Sequence, residues 1–162
     1  MITQDEVKEA LKDDSETGIF IWIKSSSNRI KYGQKAGYID SQSGYVRISI
    51  GHDLYHAHRL AFLYVNGYLP KYIDHINGCR SDNRIANLRS CSQTQNNQNS
   101  KLRNNSSGHK GVSFDKRSKK WESYINIGKK KKSLGLFNDI ELADFVVREA
   151  RILHYGEFCR HE

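Results

Sequence analysis

The longest uninterrupted apolar run in this chain covers only residues 60–65. A membrane-spanning helix needs about 20 such residues, so no span is expected, and any core must be assembled from short segments. With 162 residues, 37% hydrophobic and 27% charged, the chain has the composition of a folded protein with a thin core. Its length suits one domain or two small ones. The N-terminal residues Met1, Ile2, Thr3, Gln4, Asp5 and Glu6 lack the basic and apolar pattern of a secretory signal. Cys79, Cys91 and Cys159 are odd in number and have no C-x-x-C spacing, which suggests neither a disulfide framework nor a cysteine zinc site. The expectation is a reducing, cytoplasmic location without membrane contact.

Short elements follow from the pattern. Thr3 and Glu6 form a capping box, flanked by Ile2 and Val7 as a hydrophobic staple, and predict a helix running to about Lys12. Residues 19–23, 36–40 and 45–50 are β-rich, separated by turn residues such as Ser26, Ser27, Asn28 and Ser43, Gly44. They predict an antiparallel sheet of about three strands. From Tyr55 to Val65 the apolar spacing is helical, with Asn66 and Gly67 as its terminus. A strand over residues 72–75, a polar loop over 76–83, a strand over 87–91 and a polar helix from Ser92 to about Asn99 make a β-loop-β-helix unit. Residues 100–108 have linker composition. Beyond them, residues 111–115, 121–127 and 133–137 read as three strands, followed by a helix capped by Asn138 or Asp139 and ending at Tyr155. In that helix Leu142, Ala143, Val146, Val147, Ala150 and Leu153 form the expected apolar stripe.

Charge divides the chain unevenly. Residues 101–132 hold eleven Lys or Arg against Asp115 and Glu122, a net +9, while the whole chain carries +8. The remainder is therefore slightly acidic. A block of this kind concentrates positive potential where a polyanion docks; a solvated basic face or a membrane-surface patch is the alternative on charge alone.

Asp74-His75-Ile76-Asn77-Gly78, Asn83-Arg84, Asn87-Leu88-Arg89 and Asn96 form a spaced set across the β-loop-β-helix unit. Over residues 55–99 the chain resembles the His-Asn-His (HNH) endonucleases with a ββα-metal site, particularly phage homing enzymes. The chemistry of phosphodiester hydrolysis suits these residue types, because it needs a nucleophilic water, a base, and positive charge near the leaving oxygen. Neighbouring strand residues point to opposite faces, so Asp74 offers a carboxylate to a hard cation while His75 serves as general base. An imidazole with an ordinary pKa of about 6.5 accepts a proton near neutral pH. The resemblance implies Asp74 and Asn96 as ligands of one Mg²⁺ or Mn²⁺, and Asn87 as the group that bonds across the loop and holds His75. It also implies products with 5′-phosphate and 3′-hydroxyl ends. Taken singly, Asp74 reads as a loop cap, His75 as a surface histidine and Asn96 as part of a Gln/Asn-rich tract. Arg80 and Arg84 are candidate phosphate contacts, and Arg89 is either that or a structural ion-pair partner. His52, His56 and His58 read as structural or DNA-proximal, with no second ligand pair beside them.

Lys110-Gly111-Val112, Trp121 with Ile125, and Leu134-Gly135-Leu136-Phe137 before an alanine-bearing helix resemble the plant ethylene-response-factor (Apetala-type) DNA-binding domain. In that family a sheet enters the major groove. By position, Lys110, Ser113, Tyr124, Asn126, Lys131 and Ser133 would face DNA, with Lys116 and Arg117 on phosphates. Ser113 and Asn126 stand where arginines are usual in that family.

The expectation is an α+β chain: an HNH nuclease domain over 1–100 with its ββα-metal motif at about 70–99, a linker over 101–108, and an Apetala-like domain over 109–162. The N-terminal part would combine an antiparallel sheet with helices, and the C-terminal part would pack three antiparallel strands on one helix. Its substrate would be double-stranded DNA, nicked or cleaved at a specific site in the manner of a homing endonuclease. One motif per chain favours a monomer that nicks. The alternative is a DNA-binding regulator whose nuclease motif has decayed.

Overall fold

The computed structural model describes residues 2–24, 29–100, 105–128 and 130–159. The expected turn at Ser26, Ser27 and Asn28, the first four linker residues and Lys129 lie outside these. The fold is α+β, with four small antiparallel sheets and four α-helices among the described residues. The chain divides into two compact units, Met1–Ser92 and Gln93–Glu162. No helix among the described residues is long and apolar enough to cross a membrane.

In the first unit, α1 (Gln4–Ala10) starts on the capping box: Thr3 N donates to Glu6 Oε2 at 2.8 Å, and Glu6 N donates to Thr3 Oγ1 at 3.3 Å. It stops before the expected Lys12 because Leu11, fully buried, opens β1 (Leu11–Asp14), which pairs with β2 (Ile19–Trp22). Burial of Leu11 opposite Trp22 outweighs the helical propensity of the Leu-Lys pair. The turn of this hairpin ends at Gly18, which has a φ of +68°. A Cβ there would lie 2.3 Å from the backbone nitrogen of Arg84 and 2.5 Å from the carbonyl carbon of Asn83, so only glycine fits.

The expected three-stranded sheet forms from different strands. β2 belongs to the N-terminal hairpin and meets the next segment only over a short stretch around Ile21 and Lys35, where Ala36 N donates to the Phe20 carbonyl at 2.7 Å and Trp22 N to the Gln34 carbonyl at 2.9 Å. The three-stranded sheet is β3 (Tyr38–Ile39), β4 (Val46–Ile50) and β5 (Asp53–His56), in that order. Tyr55 and His56, read from sequence as the start of a helix, are the end of β5, with Arg47 opposite His56. Their spacing continues the helical period that follows, which hid the strand. Helix α2 (Ala57–Asn66) then buries Ala57, His58 and residues 60–63, and ends at Gly67 in the left-handed region. Strands β6 (Tyr72–His75) and β7 (Leu88–Cys91) form a separate antiparallel pair. Ile73 and Leu88 join Val7, Leu11, Phe20, Ile48, Leu60 and Ala61 in one core, so the hairpin that carries the motif shares its core with α1, β1, β2, β4 and α2.

In the second unit α3 (Gln93–Gln98) precedes β8 (Val112–Asp115), β9 (Lys120–Ile127) and β10 (Lys130–Phe137), which pair in the order β10-β9-β8, and helix α4 (Ile140–Tyr155). Asp139 caps α4, accepting from Leu142 N at 2.8 Å. The core is Val112, Ile125, Ala143 and Val147, edged by Trp121, Leu134, Phe137, Ile140 and Ala150. The expected stripe is thus shifted around α4: Leu142 is 50% exposed and Leu153 81%, while Asp144 and Arg151 are buried. Asp144 is held there by His109 Nδ1 at 3.2 Å and by an ion pair with Arg148 at 2.6 Å, polar contacts that apolar periodicity does not register.

Candidate HNH active site

Strands β6 and β7 place Asp74 opposite Arg89 and His75 opposite Leu88. Asp74 and His75 are both 5% exposed. Arg89 Nε donates to Asp74 Oδ2 at 2.9 Å, and its NH2 lies 2.8 Å from the same oxygen. Of the two readings of Arg89, the structure therefore places it in an ion pair.

The loop from Ile76 to Arg84 is closed by Asn87. Its carboxamide oxygen accepts from Asn77 N at 3.0 Å, and its Nδ2 donates to Asn77 Oδ1 at 3.0 Å and to the Asp82 carbonyl at 2.9 Å. Its own backbone carbonyl accepts from Ile76 N at 2.9 Å. One side chain thus holds both legs of the loop directly after His75. Asp82, absent from the sequence reading, extends this net: it accepts from Asn77 Nδ2 at 2.7 Å and binds Arg84 through Nε at 2.8 Å and NH2 at 2.6 Å. These bonds, Arg84 foremost, hold the Asp82 carboxyl down at about 2. Arg84 is accordingly carboxylate-paired. Arg80 instead donates NH1 to the Ser43 carbonyl at 2.9 Å, with its guanidinium carbon 5.1 Å from the Tyr45 ring centre.

His75 sits among rings. His58 crosses it edge-on with centroids 5.1 Å apart, and Tyr45 lies at 5.9 Å. Burial lowers the His75 pKa from its ordinary value; the Asn83 side chain, Asp74 and Asp82 oppose the shift and Arg80 adds to it. The neighbouring His58, pushed by its own burial and then by the charges of His75, His56 and Arg59, falls to about 3. Both imidazoles are therefore neutral at pH 7, the form in which His75 accepts a proton.

Asn96 stands on α3, in the second unit, half-buried. Among the described residues no group of three or more His, Cys, Asp or Glu is placed to hold a metal ion. A carboxylate and a carboxamide oxygen are hard donors that suit Mg²⁺, which keeps several waters and needs few protein ligands.

Two comparisons bear on this geometry. Protein 3.8 of Escherichia phage T7 is 34% identical over 98 residues, which cover 59% of this chain and 80% of that protein. Residues 55–98, from the end of β5 through α2, the β6-β7 hairpin and α3, match the family described as HNH endonuclease. The chain belongs to the HNH endonuclease family. No solved structure matches it. An HNH endonuclease acts on DNA and generally uses a divalent metal ion, so membership carries the coarse activity of a metal-dependent nuclease. The HNH match ends before the basic C-terminal sheet.

On that sheet, Ser123 Oγ donates to the Ala143 carbonyl of α4 at 2.7 Å and Ile125 is buried against the same helix. By alternation Glu122, Tyr124 and Asn126 point away from α4, and the register puts Ser113, Lys131 and Ser133 on that same open face. Lys131 Nζ lies 4.1 Å from the Tyr124 ring centre and 2.7 Å from Glu122 Oε2. Lys116 and Arg117 are exposed in the β8-β9 turn. Lys110, grouped with these by sequence, is drawn elsewhere: its ammonium donates to the carbonyls of Gln98 at 3.0 Å and Ser100 at 2.6 Å.

Proposed function

We propose that this HNH endonuclease hydrolyses a phosphodiester of double-stranded DNA with His75 as general base, in the manner of a site-specific phage homing enzyme working in the host cytoplasm. The observation that carries the reading is the buried, neutral imidazole of His75 at the head of a loop clamped by Asn87. His75 takes a proton from water, the water oxygen bonds to phosphorus, and the bond from phosphorus to the 3′ oxygen breaks. That oxygen takes a proton from solvent to become the 3′-hydroxyl, the phosphate stays on the 5′ side, and His75 gives its proton back to solvent. Asn87 orients His75 by fixing the turn beside it. Asp74 and Asn96 would hold one Mg²⁺ or Mn²⁺, with Arg89 orienting the carboxylate. When bound, such an ion supplies positive charge to the leaving oxygen.

The C-terminal unit serves as the DNA-positioning module, an Apetala-like sheet presenting Ser113, Tyr124, Asn126, Lys131 and Ser133, with Lys116 and Arg117 on phosphates. Contacts of this class make affinity fall steeply with salt. The test is nicking of supercoiled DNA that carries the protein's own genomic neighbourhood, with Mg²⁺ or Mn²⁺ against EDTA. Cleavage that needs the cation and vanishes in His75→Ala is the expected result. Tight binding with intact DNA under every cation would instead identify a DNA-binding regulator.

A further inference from the structure

We propose that Tyr45 is a positioning residue of this cleavage site, its ring setting the spacing between the His75 imidazole and the Arg80 guanidinium. The inference rests on the reading of His75 as the base. Tyr45 lies thirty residues before His75 and outside the matched 55–98 segment, so neither motif spacing nor family likeness points to it.

One ring meets both groups. Its centroid is 5.9 Å from that of His75, at an interplanar angle of 45°, and 5.1 Å from the guanidinium carbon of Arg80. His58 meets both rings, at 5.1 Å from Tyr45 and 5.1 Å from His75. The turn that presents Tyr45 is stiff. Asp40 Oδ2 accepts from Ser43 Oγ at 2.7 Å, its carbonyl accepts from Gly44 N at 2.7 Å, and its own N–H donates to the Tyr45 carbonyl at 2.9 Å. The same turn supplies the second tether of Arg80, the Ser43 carbonyl at 2.9 Å.

The nature of these tethers matters for a phosphate. Arg84 and Arg89 are each bound to a carboxylate, which offsets their charge. A ring face and a neutral carbonyl hold Arg80 in place and leave its positive charge intact. An arginine at a loop tip otherwise spreads over many rotamers, whereas a guanidinium ordered beforehand does not lose that freedom when the phosphate arrives. Base and cation mounted on one ring are the kind of arrangement in which a displacement of about 1 Å costs on the order of 100-fold in rate.

The experiment uses the full chain as wild type, His75→Ala, Tyr45→Leu, Tyr45→Phe, Arg80→Ala, Arg80→Lys and the Tyr45→Leu/Arg80→Ala double variant. Single-turnover nicking at saturating enzyme gives the rate, and DNA binding in EDTA gives Kd. Tyr45→Leu should lower the rate by about 10- to 100-fold with Kd changed less than about 3-fold, while Tyr45→Phe, which keeps the ring, restores it. The double variant should lose less than the product of the two single losses. In spectra of labelled His and Arg side chains, Tyr45→Leu should also move the His75 ring and Arg80 Nε–H resonances. Equal rates for wild type and Tyr45→Leu, equal losses for Leu and Phe, or a loss confined to Kd overturns the inference while leaving the base assignment standing. Should Tyr45→Leu fail to fold, Arg80→Lys decides: it keeps charge but not the stacked fork, and wild-type rates would overturn the inference. A wild type that cuts nothing with any cation removes the proposed function itself, and this inference with it.

Discussion

Two nitrogens of Arg89 converge on a single oxygen of Asp74, with Nε at 2.9 Å and NH2 at 2.8 Å from Oδ2. The pair faces across the β6-β7 ladder with 12% and 6% of the side chains exposed. Arg89→Ala removes the ion pair of a buried carboxylate, and breaking such a pair costs about 3 to 5 kcal/mol. Urea unfolding should show that loss, and Asp74→Leu in the Arg89→Met background should recover part of it, because an apolar pair leaves no charge behind.

Asn87 closes the loop with three side-chain hydrogen bonds to Asn77 and Asp82. Asn87→Ala hands the Asn77 N–H and the Asp82 carbonyl, neither fully buried, over to water, a cost of about 0.5 to 1.5 kcal/mol for each bond lost. The expected result is faster amide exchange at Asn77 and a nicking rate reduced at least about 10-fold, with DNA affinity held. Unchanged exchange would detach Asn87 from the loop.

Burial holds His58 at about 3, far below the ordinary 6.5. In acid the unfolded chain takes up a proton that native His58 refuses, so this contribution is complete above about pH 6.5 and is lost as pH falls from there toward 3. The slope is about 1.4 kcal/mol per pH unit for one such group. His56 and His75 shift in the same direction and add to it. Urea midpoints between pH 7 and 5 should fall, and His58→Phe should flatten the fall. The nicking rate should likewise persist below the pH at which an exposed imidazole would be protonated, since the His75 pKa is lowered.

Lys131 is held by Glu122 at 2.7 Å on the open face of the C-terminal sheet. Glu122→Gln releases that charge to the phosphates. DNA affinity should rise, and the plot of log K against log salt should steepen by up to about 0.9. Lys131→Ala should do neither, and a flat response to both would take this face out of the DNA interface.

Local signals in the sequence were enough for α1's capping box, the β6-β7 hairpin, the three C-terminal strands and the Asp139 cap, because each is written in residues a few positions apart. β5 was not legible, since Tyr55 and His56 continue the periodicity of α2 and only pairing with β4 makes them a strand. The stripe on α4 was misplaced for a related reason: Asp144 is held in the interior by Arg148 and His109, which apolar spacing ignores. Around the candidate site, Asp74, His75 and Asn87 stand together on one hairpin, as neighbours in a motif can. Tyr45, His58 and Asp82 join them through contacts that depend on how the turn, α2 and the loop pack, and no spacing in the chain announces that.

Gly18 meets the peptide between Asn83 and Arg84 at a distance that leaves no room for a methyl group. The far leg of the nuclease loop is therefore seated against a turn whose last residue, Gly18, comes 37 residues before the matched segment begins at residue 55. A copy of residues 55–98 moved into another protein would arrive without that seat, and Gly18→Ala would displace the same leg from within the intact chain. The family signature names the tools, while the workbench they are bolted to lies upstream of it.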